Sequence, residues 1–600
     1  MNKRIFLMAL SGSLLLSLQM LAQKTVTGCE LVGGLQAELA ADFTVTVGGS
    51  FINQGTVHYK GVTSFTNDGS VSEGTDGSCN ALYASPCTTA TGVAGANIFD
   101  NSVAATTIQG ANALRMYAID IDRNIQLDNE WQVASNFAFT SGLVTTDRTD
   151  LSHFLHFMDA ASVSGNAAAT HVDGYAAYSG NGAFTLPIGD GSKQLPAAVV
   201  GDCASTFKGA YFSTDPNAAT LPAGAPFATA NFEESLTAIS TVEYWDVDGA
   251  SSTTITLSFD ATSNLAALST NLSGISVAGW DGTEWVDLGN TAFTGTIGGG
   301  GTITSEAVIP DTYTAYTFAQ RSGLLQVKVM LQGALFASSG GLMRDDLRAG
   351  GYIPLAEPYS TSGNARFAAV GSGGGEVTTT GTLNANAGTP DAIVDWVWVE
   401  LRDGTNPALI LDTKAALLQR DGDVVDAKDG TSALSFPGAA GSNFYISVKH
   451  RNHLGTMIAT PVMVTPTGTL VDFISLSAAQ IYNIPGSTNY EGVERAVEGG
   501  INALWAGNAN ADNKVKYQGG ASDNGTILAD VILFPGNTSD TYNYDNAFGY
   551  FYGDINMDGK VKYQGLGNDP VFVFLNVLSN YNSLNTGLLY NYDLFLEQLP

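Results

Sequence analysis

The sequence predicts a mainly β, multidomain protein with a small α+β module in its last 130 residues. Three observations carry this. Gly (69 of 600 residues), Thr, Ser and Asn are abundant while only 14% of residues are charged, a composition that suits short strands joined by tight turns. Runs with period-two alternation, such as Thr254-Ile255-Thr256-Leu257-Ser258-Phe259, recur between Gly- and Asn-bearing corners, as half-buried strands require. From about Val471 onward Asn, Asp, Tyr and Gly rise, and an internal repeat begins. The length allows roughly three to five domains of ordinary size.

Residues 1–22 read as a signal peptide: Lys3 and Arg4 precede an apolar run from Ile5 to Ala22, and the small Ala22 marks the cleavage point. Ser11, Ser13, Ser17 and Gln19 interrupt the run, which makes it a poor membrane anchor. Val26-Thr27-Gly28-Cys29 has the shape of a lipoprotein box, but Gln23 and Lys24 separate it from the apolar run it should follow directly. No later segment is long and apolar enough to span a bilayer as a helix. The expectation is a secreted or cell-surface protein, with no transmembrane segment after signal removal. A formal charge of -31 weighs against nucleic acid and anionic membrane as partners and suits cation binding.

The chain then divides as follows. Residues 23–94 alternate in short strands such as Phe43-Thr44-Val45-Thr46-Val47, suggesting a small β-solenoid or stacked sheet. Residues 95–320 carry further period-two strands, among them Ile275 to Trp280 and Glu284 to Leu288, for which a β-sandwich is the natural closure. Residues 324–468 have the length and strand pattern of one immunoglobulin-like sandwich, and residues 471–600 form the last module. The four cysteines, Cys29, Cys79, Cys87 and Cys203, all lie in the first third, where an exported chain can keep disulfides. Three pairings are possible. Cys79 and Cys87 flank a short loop and are the easiest partners, leaving Cys29 with Cys203; the lack of a Cys-x-x-Cys pair weighs against metal.

The repeat carries the chemistry. Lys514-Val515-Lys516-Tyr517-Gln518-Gly519 recurs unchanged as Lys560-Val561-Lys562-Tyr563-Gln564-Gly565, 46 residues later (560 − 514). Alternating oxygen side chains precede each copy: Asn508, Asn510 and Asp512 in the first, Asp554, Asn556 and Asp558 in the second. Calcium takes six to eight hard oxygen ligands at about 2.3 to 2.6 Å, and a tight loop supplies them from positions one, three and five, with the position-seven carbonyl of Lys514 or Lys560. Position six must turn sharply, which suits Gly559 and next best Asn513. Position eight, Val515 or Val561, should tuck into the core. Position twelve departs from the EF-hand pattern, with Gly519 or Gly565 where a bidentate Glu belongs. Asp523 and Asp569 could close the sites if the Tyr-Gln-Gly segments bulge outward; the bland reading of Asp569 is a helix N-cap before Pro570.

The two loops look like a dockerin pair. The segment Gly553 to Gly565 resembles the C-terminal modules of large Bacteroidetes surface proteins labelled hemagglutinin or adhesin. Leu417 to Asp426 and Val448-Lys449-His450-Arg451-Asn452-His453-Leu454-Gly455 resemble the sandwich domain that accompanies that module, and Phe184 to Gly191 is similar to a strand-turn signature in the same proteins. The resemblance implies adhesion or surface structure, with a glycan, a surface protein or further copies of the chain as partner.

Signs of an enzyme are few. His153 and His156 could pair on a metal at helical spacing, yet their aromatic neighbours favour a packed strand; His450 and His453 sit at a strand end and turn and read as structural. His-Glu-x-x-His and Gly-x-Ser-x-Gly are absent, and Gly371-Ser372-Gly373-Gly374-Gly375 lacks the Lys-Ser/Thr ending of a phosphate loop. The resulting expectation is a noncatalytic adhesin or structural protein with a calcium-stabilised module. A dockerin-like assembly component and a polysaccharide-degrading enzyme with an accessory calcium module are the rivals. Exposed aromatic platforms at Trp280, Trp285, Trp396 or Trp398 would favour glycan binding; as core tryptophans they need no function.

Overall fold

The computed structural model describes residues 18–20, 24–26, 29–46, 49–72, 95–338, 340–485, 493–581 and 583–600, with side chains from residue 36 onward except 52, 70 and 72. Residues 1–17 and 21–23, which hold most of the expected signal peptide and its cleavage point, and Cys79 and Cys87 lie outside them. The chain is mainly β and falls into two compact units, Met1–Arg321 and Ser322–Pro600.

The first unit opens as a coil of parallel strands. Ala118–Asp122, Asn124–Leu127 and Trp131–Val133 visit three sheets in turn, and Asn136–Ser141, Val144–Thr146 and Leu155–Met158 lie over them in parallel register. Alternate residues point inward, so the axis fills with rings: Tyr59 stacks on Phe99 at 4.4 Å, and Phe99 meets Trp131 edge-on at 5.5 Å. Arg123 is buried at a corner, where its guanidinium satisfies the Val62 carbonyl at 3.2 Å and Asp100 at 3.0 Å. Parallel pairing does not stop near residue 94: Ser50–Tyr59 pairs with Ala96–Phe99, and rungs continue to Ile188–Asp190. Antiparallel pairing starts at Ala176–Ser179, which bonds to Phe207–Phe212 on the side away from the coil's rungs. Period-two burial persists past that change in Ala197–Asp202 and Thr253–Phe259, because alternation records which face is covered and not the direction of the neighbouring strand. Tyr244–Asp248 and Ile275–Trp280, the second of which is expected to alternate, are instead buried on both faces.

From Asn181 to Arg321 an antiparallel five-stranded sheet faces the antiparallel half of a ten-stranded sheet, whose other half is the third face of the coil. Phe259 of the first meets Phe318 of the second edge-on at 6.1 Å. Trp280, Trp285, Trp396 and Trp398 are all core residues, the last three fully buried, so none offers a platform to a glycan.

The second unit is built on one nine-stranded sheet, rather than the two sheets of an immunoglobulin-like sandwich. Gly323–Lys328 bonds to three neighbours, Asp423–Val425 and Leu434–Phe436 antiparallel and Thr469–Asp472 parallel. Residues 324–468 and 471–600 share this unit instead of standing apart. The reason is polar as well as apolar: the turn between Asn443–His450 and His453–Met457 enters the repeat region with Arg451, Asn452 and His453 fully buried.

Candidate metal centre

Each loop leads into a short helix, Asp523–Ile532 after the first and Asp569–Leu575 after the second. Ile527 and Val531, and their equivalents Val573 and Val577, put one apolar stripe of each copy into a shared core, which Val515 and Val561 join from position eight. The turn chemistry follows the expected pattern at position six, where Asn513 has φ 69° and Gly559 φ 79°. Position four is also left-handed, at Ala511 (φ 53°) and Met557 (φ 57°), which no residue preference announced.

At positions one, three and five the side chains curl over the backbone. Asp554 accepts from the Asp558 N–H at 3.1 Å and the Gly559 N–H at 3.0 Å; Asn556 accepts from Asp558 N–H at 3.1 Å, and Asp558 from Lys560 N–H at 3.0 Å. Loop one matches where it can: Asn508 and Asn510 accept from Asp512 N–H at 3.0 and 3.1 Å, and Asp512 accepts from Lys514 N–H at 3.1 Å. Asn508 Nδ2 is buried with no hydrogen-bond partner among the described residues. The bonds flanking position seven, Gly549 N–H to Gly559 O and Val561 N–H to Ala547 O, do not use the Lys560 carbonyl. The same holds for Lys514 between Glu597 N–H to Asn513 O and Val515 N–H to Phe595 O.

Gln518 to Ala521 and Gln564 to Gly567 do bulge into solvent, and the chain then returns with Asp523 and Asp569 fully buried. Asp569 is not the helix cap: Asn568 caps, accepting from Val571 N–H at 3.0 Å. The Asp569 carboxylate instead turns back into the loop, accepting from Ile555 N–H at 2.8 Å and Lys562 N–H at 2.7 Å, as Asp523 does from Lys516 N–H at 2.7 Å.

Burial pushes Asp554 up to about 7, with Asp558 adding repulsion and Arg451 opposing it. Burial followed by the Asp554 charge lifts Asp569 well above the carboxylate range, and burial lifts Asp523 likewise. Carboxylates this dry and this close to one another gain most from a cation between them. Among the described residues no three His, Cys, Asp or Glu side chains form a metal-holding group by themselves. The donor set that fits is mixed: Asp554, Asn556, Asp558, Asp569 and the Lys560 carbonyl in loop two, and Asn508, Asn510, Asp512, Asp523 and the Lys514 carbonyl in loop one, all hard oxygens as calcium prefers.

The duplication is longer than the repeated hexapeptide. Tyr542-Asn543-Tyr544-Asp545 recurs as Tyr590-Asn591-Tyr592-Asp593, an identity that lies outside the oxygen ligands of the loops. These aspartates receive the lysines of the loops, Asp545 taking Lys560 at 2.5 Å and Lys562 at 3.0 Å, and Asp593 taking Lys516 at 3.8 Å. Asn537 and Asn585 play one role twice, each donating to two carbonyls and accepting from the N–H four residues ahead.

The sheet reaches the module through its buried turn. Arg451 pairs with Asp395 at 2.9 Å, lies 4.4 Å from the Tyr550 ring and donates to the Phe551 carbonyl. Burial alone would raise Asp395, but Arg451, His450 and Tyr550 together hold it below the usual range. His450 and His453 are both buried and both pushed toward the neutral form, first by desolvation. Their proton positions follow from the partners: His450 Nε2–H points to Asp395 at 3.0 Å, and His453 Nε2 accepts from Gly333 N–H at 3.1 Å. That leaves His453 Nδ1–H for Asn452 Oδ1 at 2.8 Å and His450 Nδ1 at 2.9 Å.

The other candidate residues have separate engagements. His156, on a strand rather than a helix, bridges Glu130 at 2.6 Å and Ser179 at 2.7 Å, while His153 lies outside the strand, 3.5 Å from Asp150. Cys203 is disulfide-bonded; the side chains of Cys29, Cys79 and Cys87 lie outside the described residues. No protein-family model, no curated protein and no solved structure matches the chain.

Proposed function

We propose that this is a noncatalytic secreted or cell-surface adhesin or structural protein whose second unit is stabilised by calcium in two loops. The single observation behind the calcium reading is the convergence of Asp554 and Asp569, both fully buried, in a loop whose remaining donors are oxygens. Asp554, Asn556, Asp558, Asp569 and the Lys560 carbonyl would hold the ion in loop two, and Asn508, Asn510, Asp512, Asp523 and the Lys514 carbonyl in loop one. Bound calcium supplies positive charge where the chain has gathered negative charge, and so favours the folded loop. Loop two has three carboxylates against two in loop one and should bind more tightly. With a dissociation constant near 10⁻⁴ M, about 1 mM calcium adds roughly 1.4 kcal/mol by mass action. The adhesive role draws on the resemblance to Bacteroidetes surface proteins and on the long stack of β rungs, which present corners and loops at regular intervals.

A docking role for the module keeps one observation in its favour. Leu566, at the tip of the second outward bulge, is 97% exposed, and Leu533 is 77% exposed, as apolar side chains awaiting a partner would be. Calorimetric titration of the full chain tests the calcium reading: two unequal sites are expected, and melting that is indifferent to both calcium and chelator refutes it. A glycan array against a pull-down with the same chain separates adhesion from docking.

A further inference from the structure

The first ligand residue of each loop touches the same residue of the sheet, Asn452. Asn452 sits at the tip of the buried turn, and its backbone carbonyl accepts from Gly507 N–H and Asn508 N–H, both at 3.1 Å, at the entrance of loop one. Its Nδ2 donates to the Tyr552 carbonyl at 3.1 Å and the Asp554 carbonyl at 2.7 Å, at the entrance of loop two. The amide cannot turn over without loss, because His453 Nδ1–H holds its Oδ1. Gly507-Asn508 and Gly553-Asp554 are equivalent stretches of the duplication, 46 residues apart, so one residue reads the same backbone position twice, as a hydrogen-bond acceptor on one side and a donor on the other.

Beyond Asn452 the two copies also meet directly, where Gly553 N–H donates to Asp530 Oδ2 of the first helix at 2.8 Å and Asn576 Nδ2 donates to the Ala506 carbonyl at 2.8 Å. Their position-eight amides, which in a paired arrangement would bond to one another, are spent on Phe595 and Ala547. A shift of Asn508 or Asp554 on closing around a cation bears directly on Asn452, which is hydrogen-bonded to both entrances.

We infer that Asn452 is a positioning residue that couples the two calcium loops, so that filling one raises the affinity of the other, although it ligates neither ion. This rests on the calcium reading above. Coupling of this kind is a free-energy difference between sites, commonly worth about 5- to 150-fold in affinity.

The test uses the full chain and calcium alone, by calorimetric titration. Asp558→Ala leaves loop one to be read by itself, and Asp512→Ala leaves loop two. The product of those two constants is compared with the overall two-site constant of the unaltered chain. The overall constant should exceed the product by at least about fivefold, and the excess should fall to about one when the same comparison is repeated with Asn452→Asp, which keeps the shape and the backbone contacts but turns an oxygen on the Tyr552 and Asp554 carbonyls. An overall constant equal to the product in the unaltered chain overturns the coupling, whatever happens at position 452. An excess that survives both Asn452→Asp and Asn452→Ser overturns the assignment to this residue. Absence of calcium binding to the unaltered chain overturns the calcium reading itself, a distinct result. Circular dichroism checks that each variant is folded; if neither position-452 variant folds, a fivefold excess in the unaltered chain is upheld or lost by Asn452→Ala.

Discussion

Replacing Asp554 by Asn should destroy the second calcium site and yet stabilise the calcium-free protein at neutral pH. Loop one already carries this exchange, with Asn508 at the equivalent position. Lifting a carboxyl from its ordinary 3.8 to about 7 means that, once ionised, the folded state bears a penalty of at most about 4 kcal/mol. The amide removes that penalty but brings its own. Both Asp554 oxygens accept backbone N–H groups, from Asp558 and Gly559, and an Asn can satisfy only one, leaving its Nδ2 without a partner as Asn508 Nδ2 is left. A buried unsatisfied polar group costs about 1 to 3 kcal/mol, so the net gain is about 1 to 3 kcal/mol. For a unit of this size that is a rise of about 2 to 6 °C in melting temperature.

The pH dependence distinguishes this from a general stabilisation. With its folded-state pKa raised, Asp554 contributes stability that is fully present below the unfolded value and is lost as pH climbs through about 7. At pH 5 less than half of the penalty has developed, so the advantage of Asn should vanish or reverse there. Scanning calorimetry of the full chain in chelator at pH 7.5 and pH 5, both above the isoelectric point near 4.3, measures it. A variant less stable than the parent at pH 7.5, or an advantage of the same size at both pH values, would refute the reasoning.

Four further outcomes are expected. Arg451→Met strands the Asp395 charge in the core and should cost about 3 to 5 kcal/mol in urea unfolding, partly recovered when Asp395→Asn is added; a single-variant cost below 1 kcal/mol would count against the pair's role. Val561→Ala opens a void behind loop two and should cost about 1 to 3 kcal/mol, with a weaker loop-two calcium affinity in the same titration. Because His450 and His453 are held neutral, the unfolded chain takes up protons first as pH falls below about 6.5, so their contribution to stability is lost on acidification, opposite in sign to that of Asp554; His453→Gln should flatten that slope. Peptide mapping without reduction should recover Cys79 linked to Cys87, and both found as free thiols would exclude that pairing.

The parts of this molecule that were legible in the sequence are those where one residue type answers one local demand. Alternation marked strands, Gly559 and Asn513 marked left-handed turns, and the spacing of Asp554, Asn556 and Asp558 marked a loop lined with oxygen. Asp569 was legible as loop closure or helix cap, and only the fold separates them, because Asn568 one residue earlier competes for the cap. The extent of the parallel coil was hidden, since burial on alternate residues does not reveal whether the neighbouring strand runs the same way. The turn at Arg451 and Asn452 was hidden for another reason: its partners lie from about 55 to about 100 residues away, and polar residues at a hairpin tip ordinarily face water. The second identity, Tyr542 to Asp545 with Tyr590 to Asp593, was in plain view but acquires meaning only once those aspartates are seen to neutralise the loop lysines.

The bridges beside position seven cross from one copy of the duplication to the other. Loop one is closed by residues 595–597, which follow the second helix, and loop two by residues 547–549, which follow the first. Order of synthesis and order of completion are therefore opposed: the loop that is made first has to wait for the strand that is made last. A cut anywhere between residues 576 and 594 would free the strap from loop one while sparing that of loop two, so the weaker site would be the first to open under proteolysis and the last to close on refolding. Limited digestion in calcium should accordingly release loop one before loop two, although loop one is the farther of the two along the chain from the point of cleavage.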